Sequence, residues 1–415
     1  MPPKEESDVK MALGKLPSKG EALDCLLSRW DPKPGTEELP LTQAVGRVLA
    51  EDLTARYDIP VVRASAMDGV AISFALTEQA GWDPARWEKG REYVRADTGD
   101  DFPDEYDTVV PIEQVTFLPQ GGLSFSPELT LSRGMNVRPA GSQLARGAVV
   151  GRKGTVLTAM DLAAIGMGGY DRVPVVVRPR VAFVPTGSEL VPIGSALQRG
   201  QNFDTNGLMA AQLLREMGAE PVLHPIVKDR EEDLERVLDE LLSTADIVLL
   251  NAGTSKGGED YCAAILQRRG APLHGVAAVP GRPMSVAVIG GKPVLNLSGP
   301  ALAAFYGLDW AVRPLVCRWL GVPVHVRERI TATLTAALNP PPAMSMMCRL
   351  QVVRTPEGKY LATPLAAKGP GSYAARTLCS EGVYISTPGE PPKQAGETLQ
   401  VELLRNRAQI REAEQ

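Results

Sequence analysis

The chain has 415 residues, 44% of them hydrophobic and 22% charged, with a formal net charge of -5. That length exceeds what one hydrophobic core organises, so two to four domains are expected. The composition is that of a soluble globular protein: the longest apolar runs, such as Ile247 to Leu250, are far too short to span a bilayer, and the negative balance leaves no general footprint for nucleic acid.

Met1 to Lys10 is rich in Pro, Glu and Lys and lacks the apolar centre of a secretory signal, so it reads as a disordered cytoplasmic leader. Cys25, Cys262, Cys317, Cys348 and Cys379 lie far apart with no C-x-x-C pair, which predicts reduced thiols in a reducing, cytoplasmic compartment. His224, His274 and His325 stand beside no candidate Ser or Cys nucleophile, so a hydrolase triad has no support.

From about Ser18 to Leu53, Ala22, Leu23, Leu26 and Leu27 and then Ala44, Val45, Val48 and Leu49 recur at helical spacing around Asp31-Pro32-Lys33-Pro34-Gly35, which predicts a helical hairpin. Between Asp52 and Val150 the pattern changes to short runs, such as Val109-Val110-Pro111-Ile112, set between Gly and Pro, as in a small β-rich insertion. A helix returns at Ala159 to Gly166, so the first domain is discontinuous. From Arg178 to Leu320 the alternation is that of a βαβ architecture, with strands expected at Val181–Val184, Glu220–Val227, Ile247–Leu250, Met284–Ile289 and Val294–Leu297. The helix after Asp229 has that residue as its candidate cap and Glu231, Glu232 and Asp233 in its first turn, where the macrodipole favours acids. Its apolar stripe is Leu234, Val237, Leu238, Leu241 and Leu242. His325 to Leu404 reads as short strands between Pro- and Gly-rich turns, a small β-barrel or sandwich.

In an open parallel sheet, ligands sit beyond the carboxyl ends of strands, where free N–H groups and helix N-termini make anion sites. Three loops meet that description: Pro185 to Leu190, Asn251 to Asp260, and Ser298-Gly299-Pro300. Their small residues let the backbone approach a phosphate or a flat pterin ring, hydroxyls at Thr186, Ser188, Thr254 and Ser255 can donate, and Lys256 could supply a point charge. The G-x-x-x-x-G-K-[ST] order of a P-loop is absent. Each loop alone is also compatible with a plain strand-to-helix turn.

The series taken in order resembles the molybdopterin molybdenumtransferase family, which includes the bacterial molybdenum insertase and the insertase domain of gephyrin. The resemblance rests on Ala44-Val45-Gly46-Arg47-Val48-Leu49-Ala50-Glu51-Asp52, Pro60 and Ser65-Ala66-Met67-Asp68-Gly69, then Thr98-Gly99 with Asp107, Val109-Val110 and Glu113. It continues through Gly134-Met135-Asn136-Val137-Arg138, Thr186-Gly187-Ser188-Glu189-Leu190, and Gly200 with Asp204-Thr205-Asn206. It implies an α/β multidomain fold: a helical domain over 11–51 with 146–177, a β-rich domain over 52–145, a three-layer molybdopterin-binding α/β domain over 178–324 and a C-terminal β-barrel over 325–405.

The resemblance further implies molybdenum cofactor biosynthesis. Molybdate enters adenylylated molybdopterin and AMP is released with the help of Mg²⁺, in the cleft of a homodimer and in contact with the adenylyltransferase that supplies the pterin. Asp68, Glu189, Asp229 and Asp260 match catalytic positions, and Asp68, Glu189 and Asp260 are the metal-holding carboxylates it implies. The substrate-binding set it implies is Ser65, Thr98, Thr186, Gly187, Ser188, Asp204, Asn206, Gly253, Thr254, Ser255, Lys256, Pro280, Gly281, Arg282 and Gly299. Asp229 could equally be a helix cap and Asp260 a helix N-terminal acid.

Several family positions are changed. The P-G-K-P loop, usually preceded by lysine, reads Val279-Pro280-Gly281-Arg282-Pro283, a lysine expected four residues earlier is Gly275, the acids of a G-E-D segment fall at Ser142 and Gln143, and P-G-N-P has become Ser298-Gly299-Pro300-Ala301. The cleft carboxylates survive better than the cations. Two readings stay open on sequence: a working transferase with a rearranged anion site, for molybdate or tungstate, and a non-catalytic carrier or regulator that binds the pterin or finished cofactor.

Overall fold

The computed structural model describes residues 16–252, 261–271, 273–365 and 377–413. They fall into two units, 1–35 with 177–415 and 36–176. The loop residues Gly253, Thr254, Ser255, Lys256 and Asp260 lie outside the described residues.

The first unit is built on a six-stranded sheet. Strands Glu220–Leu223, Arg180–Thr186, Ile247–Ala252 and Lys292–Ser298 run parallel in that spatial order, followed by Ser285–Ile289, antiparallel, and the short Leu273–His274. Helices Thr205–Glu216, Glu231–Thr244, Tyr261–Arg268 and Ala301–Gly307 connect the strands. Strands covered on both faces read as continuous apolar runs, and Val181 to Val184 and Ile247 to Leu249 are wholly buried. The stripe predicted for the helix at 231–244 is its core face: Leu234, Val237, Leu238 and Leu241 pack with Val248, Leu250, Ile265 and Leu266. Its outer face is held to the following helix by Arg268, which pairs with Glu231 and Glu235, and by Arg269, which pairs with Glu235 and Asp239. The N-terminal helix Lys19–Arg29, opened by a capping box from Ser18 and Glu21, belongs to this unit: Trp30 stacks on Trp319, and Ala277 N donates to Pro17 O at 2.8 Å.

Five strands close a β-barrel in the C-terminal region. Arg329–Leu334 pairs with Tyr360–Pro364 and Thr398–Leu403, Ser345–Arg354 pairs with Tyr360–Pro364 and Gly382–Ile385, and Gly382–Ile385 closes the ring on Thr398–Leu403. Alternate residues, Ile330, Ala332 and Leu334 on one strand and Leu399, Val401 and Leu403 on its neighbour, fill the interior. Closure removes exposed edges, and it favours the barrel of the two expected forms.

In the second unit, Thr36–Pro40 pairs with Arg172–Val176, and helix Ala159–Met167 packs on a core of Ala44, Leu49, Leu157, Ile165 and Val173. Ala44 to Leu49 is not the helix its spacing suggested. It is a turn with Gly46 in the left-handed region at φ 74°, followed by bridges from Val48 and Leu49 to Val156 and Val175. Arg47 is why: its buried guanidinium donates to Glu37 at 2.6 Å and Val176 O at 2.8 Å, clipping both strands of the pair. The inserted segment forms a three-stranded sheet, with Gly69–Ile72 between Tyr93–Ala96 and Thr108–Pro111.

Candidate active site

Three strand ends are in register: Thr186 lies opposite Ala252, and Ala252 opposite Ser298. The strands that precede the loops singled out in the sequence therefore end side by side, at the carboxyl edge of the sheet. Between them Thr186, Glu189, Leu190, Asn206, Asn251, Gly299 and Pro300 line a cleft of about 220 Å³. Asn206 arrives from the first turn of the helix at 205–216, whose N-cap Asp204 accepts from Gly207 N at 2.9 Å. The role of Asp204 seen here is to fix that turn.

Side-chain amides tie the cleft walls together. Asn206 Nδ2 donates to Asn251 Oδ1 at 2.8 Å and to Gly299 O at 2.6 Å. Asn251 Nδ2 donates to Leu297 O at 3.2 Å and Ser298 O at 3.0 Å, and Thr186 Oγ1 donates to Asn251 O at 3.2 Å. Glu189 is half-buried, and among the described residues its carboxylate has no ion pair or hydrogen bond. A carboxylate left free in this cleft is suited to a hydrated divalent cation.

Asp229 does not cap the helix that follows it. Arg230 holds the N-cap position without a side-chain bond, while Asp229 Oδ2 accepts from Ser188 N at 3.1 Å and Asp229 N donates to Ser188 Oγ at 3.4 Å. It fixes the Gly187-Ser188 turn, whose Gly187 N donates to Val227 O at 3.0 Å. The loop Pro280-Gly281-Arg282 reaches the same edge: a Cβ at Gly281 would lie 3.7 Å from Ala303, on the helix after Pro300. Arg282 is exposed and makes no ion pair among the described residues. Position 275 disfavours a side chain, since φ is +83°, and a Cβ there would push on the tip of Leu16, 2.8 Å from its Cδ2.

Ser65, Asp68 and Thr98 come together in the second unit. Asp68 Oδ1 accepts from Thr98 N at 2.8 Å and from Thr98 Oγ1 at 2.9 Å, and these two bonds hold its carboxyl below the usual range. Ser65 Oγ is turned inward to Met67 O at 2.6 Å, so it shapes the Ala66-Met67-Asp68 turn. Among the described residues no group of three His, Cys, Asp or Glu side chains stands ready to hold a metal. Of the implied carboxylate trio, Asp68 and Glu189 belong to different units and Asp260 lies outside the described residues.

Residues 18–169 match the model of the MoeA N-terminal region, domains I and II, and residues 182–318 match that of a probable molybdopterin binding domain. A molybdopterin molybdenumtransferase of Bacillus subtilis is 30% identical over 390 residues, which is 89% of this chain and 90% of that protein. The chain belongs to the molybdopterin molybdenumtransferase family. Molybdopterin molybdenumtransferase 2 of Mycobacterium tuberculosis is 29% identical over 390 residues, 88% of this chain and 94% of its own. Two structures of the molybdopterin biosynthesis MoeA protein from Pyrococcus horikoshii align with TM-scores of 0.78 and 0.70, each at 26% identity and covering 94% of this chain and 100% of theirs.

This member of the molybdenumtransferase family carries site features that the sequence reading passed over. Asn251 was read only as the start of a loop, although an asparagine at the buried end of a core strand must satisfy its amide locally. Ser298 is 7% exposed, and its hydroxyl has no partner among the described residues. Arg349 is buried, donating from Nε to Ser380 Oγ at 2.7 Å and from Nη2 to Leu378 O at 2.8 Å, with its guanidinium 4.9 Å from the Phe305 ring. It has no carboxylate partner among the described residues, and burial, with the nearby charge of Arg327, lowers its pKa to about 10, still charged at neutral pH. It lines a cavity of about 760 Å³ with Arg313, Arg327, Arg329 and Arg405. Strand Ala278–Val279 pairs with Ser345–Met346, so the Pro280 loop and the strand bearing Arg349 are neighbours.

Proposed function

We propose that this protein is a molybdopterin molybdotransferase: it inserts molybdate into adenylylated molybdopterin and releases AMP. The observation that carries the reading is the register of Thr186, Ala252 and Ser298, which opens a polar cleft at the carboxyl edge of the sheet in a chain of this family. The turns at Thr186-Gly187-Ser188 and Gly299 offer close backbone approach to the pterin and its phosphates, with Asp204 and Asp229 fixing the turns and Asn206 facing the ligand. Arg282 is the cation for oxyanions at this edge, in place of lysines at 275 and 279.

Mg²⁺ would be held by Glu189 together with substrate phosphates, and Asp68 and Asp260 are proposed as carboxylates for it on the family pattern alone. When bound it would neutralise the diphosphate. The two bonds from Thr98 keep Asp68 ionised. We place Gly253, Thr254, Ser255, Lys256 and Asp260 in the same site on the family pattern alone.

The working form we propose is a cytoplasmic homodimer that receives its pterin from the adenylyltransferase. Supporting a second copy is an exposed apolar surface beside the cleft, where Ile193, Leu208 and Leu223 flank a groove of about 580 Å³ that also includes Gly187 and Ser188. The carrier reading has no observation in its favour. To test the reading, AMP is measured after mixing purified protein with adenylylated molybdopterin, molybdate and Mg²⁺. AMP should accumulate with wild type and fall at least about tenfold with Glu189→Gln. Pterin binding without AMP release contradicts a transferase.

A further inference from the structure

The hydrogen bonds of Asn206 and Asn251 fix what the cleft can read. Each amide nitrogen faces backbone carbonyls, which only accept: Asn251 Nδ2 faces Leu297 O and Ser298 O, and Asn206 Nδ2 faces Gly299 O. Neither amide can be turned over without setting oxygen against oxygen. Asn251 is 3% exposed, and both its N–H bonds are used. Its one oxygen bond takes the second N–H of Asn206. Both donors of Asn206 are therefore spent on the protein, and Asn206 Oδ1 is the amide atom of the couple left without a partner among the described residues.

We propose that Asn206 is a specificity-determining residue: with its amide nitrogen held by Gly299 O and Asn251 Oδ1 together, it presents Oδ1 to the cleft as an obligate acceptor, which selects the exocyclic amine of the pterin over a carbonyl at the same ring position. The proposal rests on the reading of the ligand as a pterin. The physical basis is asymmetric. An N–H placed against Oδ1 makes a bond, whereas a carbonyl placed there leaves two acceptors facing one another in a partly desolvated site. A free asparagine would turn to suit either group, and only a pinned one discriminates.

The test uses two probes that differ at one ring position, pterin-6-carboxylate with a 2-amino group and lumazine-6-carboxylate with a 2-oxo group, each titrated by its own fluorescence. Wild type should bind the amino compound at least about tenfold more tightly. Asn206→Ala removes the acceptor, and the ratio should fall to within about twofold of unity, whereas Asn251→Leu leaves the bond from Asn206 Nδ2 to Gly299 O and should keep a ratio well above unity. Asn251→Asp still accepts from Asn206 Nδ2, so it should keep the ratio even though its carboxylate, facing two carbonyls, weakens both probes.

A merely structural Asn206 would lower both affinities together in the Ala variant and leave the ratio alone, which overturns the proposal. Equal binding of the two probes to wild type, or no binding of the pterin, overturns it as well. Should Asn206→Ala fail to fold, Asn206→Ser, whose hydroxyl can donate or accept, must bring the ratio to near unity for the proposal to stand. Discrimination without AMP release would keep this assignment and remove the transferase reading, so the two failures are distinguishable.

Discussion

Arg282 is exposed, so its value to a phosphorylated ligand is that of a partly screened contact and not of a buried pair. Arg282→Ala should weaken binding of adenylylated molybdopterin about tenfold at low salt, ~1.4 kcal/mol, and Arg282→Lys should recover part of it. The loss should shrink as salt shortens the screening length. Equal affinities at low salt would remove the arginine from the site. A second expectation separates two thiols. Burial pushes Cys348 up to about 11, whereas Cys379 is exposed. A raised thiol pKa means less thiolate at a given pH, roughly one part in a thousand at pH 8. Alkylation of the folded protein at pH 8 should mark Cys379 well before Cys348, and labelling of Cys348 should rise about tenfold per pH unit. Peptide mapping that finds Cys348 labelled first would show that its strand opens.

The helix at 231–244 shows which of its contacts matter. Leu238 is fully buried, so Leu238→Ala should destabilise the unit carrying it by about 2 to 5 kcal/mol in urea unfolding. Arg268 pairs at a half-exposed surface, and Arg268→Ala should cost less than about 1 kcal/mol. The reverse order would mean that the two helices are held by charge. This helix was legible because its stripe and acidic first turn are local, and so were the barrel strands and the turns after Pro185 and Ser298. Ala44 to Leu49 misled because its apolar spacing is set by strands more than a hundred residues away: Val48 bridges Val156 and Leu49 bridges Val175. Asp229 misled for a similar reason, its carboxylate being taken by Ser188 across the sheet edge. Asn251 and Arg349 escaped notice because their partners, Asn206 and Ser380, are distant in sequence, and a lone Asn or Arg carries no periodicity to reveal a burial site.

Assembly and activity belong to the complete protein. The exposed side chains of Ile193, Leu208 and Leu223 mark the face proposed for a second copy. Wild type should scatter light as twice 44.4 kDa at micromolar concentration, and Leu208→Asp should shift it toward the single chain. A wild type that stays at one chain mass rules out the dimer. The central claim is that the cleft at the carboxyl edge catalyses metal transfer and does not merely carry a pterin. Its most direct test is reconstitution of an apo-molybdoenzyme with the desalted product of a reaction containing this protein, adenylylated molybdopterin, molybdate and Mg²⁺. Molybdoenzyme activity should appear with all components and be lost when molybdate is omitted or Glu189→Gln replaces wild type. Pterin delivered to the recipient without molybdenum, with the complete mixture, would contradict it.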